Sequence, residues 1–188
     1  QEAGALVVRE ALRGYGRACQ RGFQAACDLG AEIVVFMDGD GSDNPLDLLA
    51  MVSPILAGTT DFVMGSRVGE YAEAGAVPPQ ARLGNWLISR LVSRLYDVRL
   101  HDIGSFRALR TSLLVSLHMQ EMTFGWPVEM LVKAGRAQHS IVEVPLHYRR
   151  RSHGHSKVSG TIGGSLRAAY AMLTTLARYA WKRDLIYV

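Results

Sequence analysis

The sequence has almost no cysteine: Cys19 and Cys27 are the only two in 188 residues. Their spacing matches no zinc or redox motif and suits two small residues on a helix, which excludes a disulfide scaffold and predicts a reducing compartment. No run approaches the ~20 apolar residues of a membrane span, and no charged segment followed by an apolar one opens the chain, so these residues predict neither a membrane-spanning helix nor a secretory signal. Low-complexity tracts, internal repeats and linker-like stretches are also missing. Charged residues make up 20% against 48% hydrophobic, a balance that excludes a disordered or fibrous chain and predicts one globular domain over residues 1–188. There is no methionine at the start, and an apolar, strand-like stretch begins almost at once, at residues 5–8. The sequence therefore reads as a fragment whose upstream part is missing.

What is present is unevenly placed. The net charge is only +4, yet His147, Arg149, Arg150, Arg151, His153, His155 and Lys157 crowd into eleven residues. Such a cluster calls for an anion. It lacks interleaved aromatics beyond Tyr148 and has no recognition helix, which argues against nucleic acid.

Apolar periodicity predicts the elements. After a glycine-punctuated turn at residues 12–16, Ala18, Cys19, Phe23, Ala26 and Cys27 recur at helical spacing up to Gly30. Residues 33–37 are an unbroken apolar run, the pattern of a strand buried on both faces. Asp43 or Asn44 as N-cap and Pro45 at the first position open a helix to residue 55, and a strand follows at residues 61–66. Residues 68–80, rich in Gly, Ala and Pro, read as a mobile loop, a candidate lid, before a helix over 82–96. Shorter signals give a strand at 106–110, a helix at 128–137 and a strand at 141–148. A long helix at about 158–183 carries Leu166, Tyr170, Leu173, Ala177 and Trp181 on one face, with Arg167 and Arg178 interrupting. This is the composition of an amphipathic helix lying in a membrane interface, or of an ordinary packed one. Alternating strands and helices predict an α/β three-layer sandwich with a mostly parallel central sheet and a ligand site beyond the carboxyl ends of its strands.

Asp38 stands at such an end. In Asp38-Gly39-Asp40 two carboxylates leave a hydrophobic strand on the same side of an extended backbone. That is a pattern for Mg2+ or Mn2+ held by one or two carboxylates, with diphosphate oxygens and water completing the shell. A solvated acidic turn capping the next helix is the plainer alternative. An EF-hand is excluded, because Asp43 occupies the glycine position and Leu49 the glutamate position. The run Asp38-Gly39-Asp40-Gly41-Ser42 also resembles the haloacid dehalogenase phosphatases, but no paired aspartates follow residue 61 as that chemistry requires.

Five segments in order resemble family 2 glycosyltransferases of the GT-A fold, in their dolichol-phosphate mannosyltransferase-like branch. They are Leu12-Arg13-Gly14-Tyr15-Gly16-Arg17-Ala18; Phe36-Met37-Asp38-Gly39-Asp40-Gly41-Ser42; Val63-Met64-Gly65-Ser66-Arg67; Asp102-Ile103-Gly104-Ser105-Phe106-Arg107; and Arg151-Ser152-His153-Gly154-His155-Ser156-Lys157. The resemblance implies that a sugar passes from a nucleotide-sugar, GDP-mannose or UDP-glucose, to a polyprenyl or dolichyl phosphate with inversion, at the cytoplasmic face of the membrane. It implies Asp38 and Asp40 as metal ligands and Arg67, Arg82, Arg151, Ser156 and Lys157 around phosphates. Asp102 and Glu129 are its candidate catalytic carboxylates, needed as a base only if the acceptor is a hydroxyl. It further implies that the first nucleotide-binding strand, with the acidic turn after it, belongs ahead of residue 1. A non-catalytic nucleotide-sugar or anion-binding module is the alternative from another class.

Overall fold

A computed structural model describes residues 4–152 and 162–181. Six helices and four strands alternate through it: α1 (Tyr15–Asp28), β1 (Ile33–Phe36), α2 (Leu48–Leu56), β2 (Phe62–Ser66), α3 (Pro79–Tyr96), β3 (Arg107–Arg110), α4 (Thr111–Ser116), α5 (Trp126–Arg136), β4 (Ile141–Pro145) and α6 (Ile162–Trp181). A turn of 3-10 helix at Pro45–Asp47 leads into α2, and the Asn44 side chain accepts from Leu46 N, as a cap with proline behind it should.

The sheet corrects one expectation. Its order is β1-β3-β2-β4, and β3 runs antiparallel to both neighbours, pairing Phe36 with Arg107 on one side and Phe62 with Leu109 on the other. Only β2 and β4 are parallel, from Phe62 against Ile141 to Ser66 against Pro145. The sheet is therefore mixed and mostly antiparallel, not mostly parallel. The crossover from β1 through α2 to β2 does bring two strands into the same direction, but β3 inserts between them in reverse.

Residues 5–8 are also not a strand; Leu6 and Val7 are exposed and pair with nothing in the sheet. They have apolar content without a neighbouring edge to bond.

Two cores flank the sheet, following the two-residue alternation of strand side chains. Phe62, Met64 and Leu109 join Phe23, Ile88, Val92, Trp126, Met130 and Tyr179 on one face. Val63 and Ala108 join Met51 and Ile55 of α2, with Leu146, on the other. β2 is buried along its whole length, and Gly65 is required there: a Cβ would lie 2.1 Å from Leu146 Cδ1 and 2.9 Å from Phe106 O.

α5 is buried on every side from Trp126 to Gly135. Its Glu129 is fully buried, and Tyr179 of α6 donates to it at 2.6 Å. α6 thus seats Ala168, Thr175, Leu176 and Tyr179 inward, while the stripe Leu166, Tyr170, Leu173 and Ala177 faces out. The Trp181 side chain and residues 158–161, 182 and 183 of the expected helix lie outside the described residues.

Candidate active site

The carboxyl end of β1 delivers Asp38, Asp40 and Asp43 into one tight turn. Asp43 is buried and organises it: Oδ2 accepts from Asp38 N at 2.9 Å and from Ser105 Oγ at 3.4 Å. Its other oxygen has no hydrogen-bond partner among the described residues. Burial pushes the Asp43 carboxyl above its ordinary range, against the hydrogen bond from Asp38 N and the nearby Arg67 charge. Asp40 is held from both sides. One oxygen accepts from Ser42 N and Oγ, and the other meets Arg151 Nη2 at 2.6 Å. Burial alone raises its pKa, but the Ser42 hydrogen bonds and the Arg151 charge outweigh that and leave it lowered. The Asp38 carboxylate accepts no hydrogen bond among the described residues.

The basic segment after β4 lies along this turn. Tyr148 bridges to Asp43, Arg149 N donates to Ser42 O at 2.9 Å, and Ser152 N to Asp40 O at 3.3 Å. Gly41 allows the approach: it has φ of +81°, and a Cβ there would fall 2.7 Å from Ser152 Oγ. His147 anchors the segment by donating its backbone N to Asp47 Oδ2 at 2.7 Å, with its ring Nδ1 2.8 Å from Asp47 Oδ1. The loop at 68–80 is tied to the same segment through Glu73 N to Tyr148 O and Arg150 N to the Glu73 carboxylate.

At the end of β2, Arg67 meets Asp102 as a fork. Nε and Nη2 donate to the two carboxylate oxygens at 2.7 and 2.9 Å, and Arg67 N adds a third bond at 3.0 Å. The guanidinium also stacks 5.3 Å from the centre of the Tyr148 ring, so it lies between the acidic turn and a cleft of about 970 Å³. Arg67, Arg82, Arg90 and Arg99 contribute to the cleft wall beside the apolar Val77, Leu83, Trp86 and Val98. The guanidinium groups of Arg82 and Arg99 have no ion-pair or hydrogen-bond partner among the described residues, and Arg90 stacks 6.0 Å from Trp86. Asp97 and Asp102 are the acidic members of the lining, and Asp102 is neutralised by Arg67, so the cleft is electropositive.

Burial by itself raises the Asp102 pKa, but Arg67 outweighs it and holds the carboxyl below its ordinary range. A depressed native pKa contributes stability that is complete above the unfolded value of ~3.9 and lost as pH falls toward the native one. Urea titrations at stepped pH should show wild-type stability declining below about pH 4, with that part of the decline absent in Asp102→Asn.

The structure thus brings together Asp38, Asp40 and Arg151 at the turn, and Arg67, Asp102 and Arg82 at the cleft. Glu129 is placed elsewhere, enclosed among α5, α6 and the 120–121 backbone. Ser156 and Lys157, like His153 and His155, lie outside the described residues. The sequence reading missed Asp43, Arg90, Arg99 and Glu143. Glu143 accepts from His101 N and Asp102 N at 3.0 Å each, which sets the loop that presents Asp102; a lone glutamate inside the apolar run of β4 was its available signal. Among the described residues there is no cluster of three or more metal-ligating side chains. A bare Asp38 carboxylate beside Asp40 fits a divalent ion that takes its remaining ligands from substrate oxygens and water.

Residues 2–117 match the model of glycosyl transferase family 2. The chain belongs to that family, which agrees with its reading as a glycosyltransferase. An uncharacterized glycosyltransferase of Mycobacterium tuberculosis is 36% identical over 164 residues, covering 87% of this chain and 72% of the relative. An undecaprenyl-phosphate mannosyltransferase of Micrococcus luteus is 30% identical over 163 residues, covering 85% and 66%. Among solved structures, glucosyl-3-phosphoglycerate synthase of Mycobacterium tuberculosis, in complex with Mn2+, UDP-glucose and phosphoglyceric acid, superposes with a TM-score of 0.70 at 20% identity. The match covers 92% of this chain and 56% of the synthase.

Proposed function

We propose that the protein transfers a hexose from a nucleotide-sugar to the phosphate of a polyprenyl-type lipid, with inversion at the sugar. The observation that carries this reading is the cleft, where unpaired guanidiniums of Arg82 and Arg99 stand against an apolar wall of Val77, Leu83, Trp86 and Val98. Guanidinium matches phosphate oxygens in pairs, and the apolar wall suits the first isoprene units of a lipid. A small phosphorylated acid, such as the one bound to the synthase above, uses the arginines and leaves that wall in water.

A phosphate oxygen of the acceptor attacks the anomeric carbon, the bond from that carbon to the diphosphate breaks, and the nucleoside diphosphate departs from the opposite face. Because the attacking oxygen is already ionised near neutral pH, no general base is needed. Asp102 is then the partner that fixes Arg67 at the cleft. Asp38 and Asp40 would hold Mg2+ or Mn2+, which when bound would supply Lewis-acid stabilisation of the leaving diphosphate. Arg151 turns from Asp40 to the phosphates, joined by Ser156 and Lys157.

The test is sugar transfer from GDP-mannose and from UDP-glucose, with Mn2+, to a short-chain polyprenyl phosphate in detergent and to 3-phosphoglycerate. We expect product on the lipid phosphate from one donor, reduced about tenfold or more in an Arg82→Ala, Arg99→Ala double variant. Transfer to phosphoglycerate alone would overturn the acceptor assignment.

A further inference from the structure

Two helices leave an apolar surface uncovered. Leu83, Trp86 and Leu87 of α3 are exposed, and so are Leu166, Tyr170 and Leu173 of α6, with Leu166 at 66% and Tyr170 at 71%. The helices pack against each other, and a shallow groove of about 140 Å³ between them has both Leu87 and Leu173 in its lining. The two stripes therefore form one continuous patch. Patches of this kind on a folded protein mark a contact surface.

The charges around it identify what it contacts. α3 carries Arg82, Arg90 and Arg94, and α6 carries Arg167 and Arg178; neither helix has an aspartate or a glutamate, although the chain contains 17 acidic residues. All five arginines are exposed; Arg178 is paired with Glu121 at 3.4 Å, so Arg82, Arg90, Arg94 and Arg167 carry the positive charge of the patch. We infer that this α3–α6 face docks on an anionic lipid bilayer, its apolar side chains entering the headgroup boundary while the arginines meet lipid phosphates.

Two other occupants fit less well. A second copy of the chain would set like charges against each other across the contact. A helical peptide needs a groove far larger than ~140 Å³, since a helix is 10–12 Å across. No described helix is long and apolar enough to cross a membrane. Leu83 and Trp86 also line the large cleft, and docking therefore places the cleft mouth at the lipid surface. This docking deepens the acceptor reading, but it stands on surface chemistry and is read by vesicle binding, separately from sugar transfer.

The experiment is co-sedimentation of the whole protein with vesicles of phosphatidylcholine alone and of phosphatidylcholine with phosphatidylglycerol. The wild type should partition onto the anionic vesicles about tenfold better than onto neutral ones, and high salt should weaken this. Leu166→Glu with Tyr170→Glu should lower partitioning by about tenfold or more, and Arg167→Glu by a smaller factor. These positions are exposed and lie outside the cleft, so circular dichroism and transfer to a detergent-dispersed acceptor should match wild type. Equal partitioning onto neutral and anionic vesicles would overturn the inference. So would unchanged partitioning of the double variant, or a patch buried in a dimer by sedimentation velocity with no vesicle binding. If vesicles bind but the lipid phosphate is not glycosylated, the acceptor reading fails and the docking surface stands.

Discussion

Replacing Asp40 by alanine should lower sugar transfer by about a hundred- to a thousandfold, and Asp38→Ala should do the same. The two carboxylates differ in their surroundings, and that makes the pair informative. Asp40 is engaged by Ser42 and Arg151, so its removal also loosens the turn, whereas Asp38 has no side-chain partner among the described residues. If the turn's shape alone mattered, Asp38→Ala would be nearly silent; if the negative charge matters, both are severe. Asp40→Asn separates the effects again, because the amide oxygen still accepts from Ser42 while the charge is gone. Calorimetric titration of donor with and without Mn2+ reads the same question independently of turnover. Metal-dependent binding should vanish in all three variants, and retained metal-dependent binding in Asp38→Ala would remove that residue from the site.

Glu129→Ala should destabilise the protein by about 3–5 kcal/mol, which lowers the thermal midpoint by roughly 10 °C for a chain of this size. The carboxylate is fully buried and surrounded by donors. Gln120 N lies at 2.9 Å, Glu121 N at 2.6 Å, Tyr179 Oη at 2.6 Å and Lys133 Nζ at 2.8 Å. Removing it leaves a buried ammonium, two backbone N–H groups and a phenol to find other partners. The Tyr179 pKa is pushed upward, first by burial and then by its bond to Glu129, so the phenol remains a donor across the working range. The resemblance makes Glu129 a candidate base; its geometry makes it a strut between α5 and α6. Turnover measured well below the midpoint separates the two roles. A strut predicts near-normal transfer by the folded fraction of Glu129→Gln, and a base predicts transfer lost in a variant that is still folded.

The acidic turn was legible in the chain because it sits where the polarity changes abruptly. Residues 33–37 are apolar and residues 38–43 are acidic or small, and a buried strand that ends in carboxylates has few readings. Asn44 and Pro45 marked the helix start for equally local reasons. Strand direction was not legible: Arg107–Arg110 is four residues with a charge at each end, and nothing in such a segment says which way it runs between its neighbours. The apolar stripe of α6 was visible in the sequence, but periodicity cannot tell which apolar face is covered; here Ala168, Leu176 and Tyr179 go in while Leu166 and Tyr170 stay out. α5 is buried on every side, and outside this helix the partners of Glu129 come from α6 and the 120–121 backbone, which no local pattern in the sequence displays. The cleft was the least legible part, since Arg82, Arg90 and Arg99 come from a helix and a loop whose meeting depends on tertiary packing.

The ion pair between Asp40 and Arg151 bears on the order in which substrates arrive. With Arg151 in place, the turn carries its own counter-ion and offers a lone divalent cation a poor welcome, since the guanidinium must be evicted into solvent. A cation that comes already chelated by a nucleotide-sugar meets no such barrier, because the diphosphate gives Arg151 a new anion to grasp in the same movement. On the proposed reading the arginine would hold the place of the cation, and metal and donor would enter as one species.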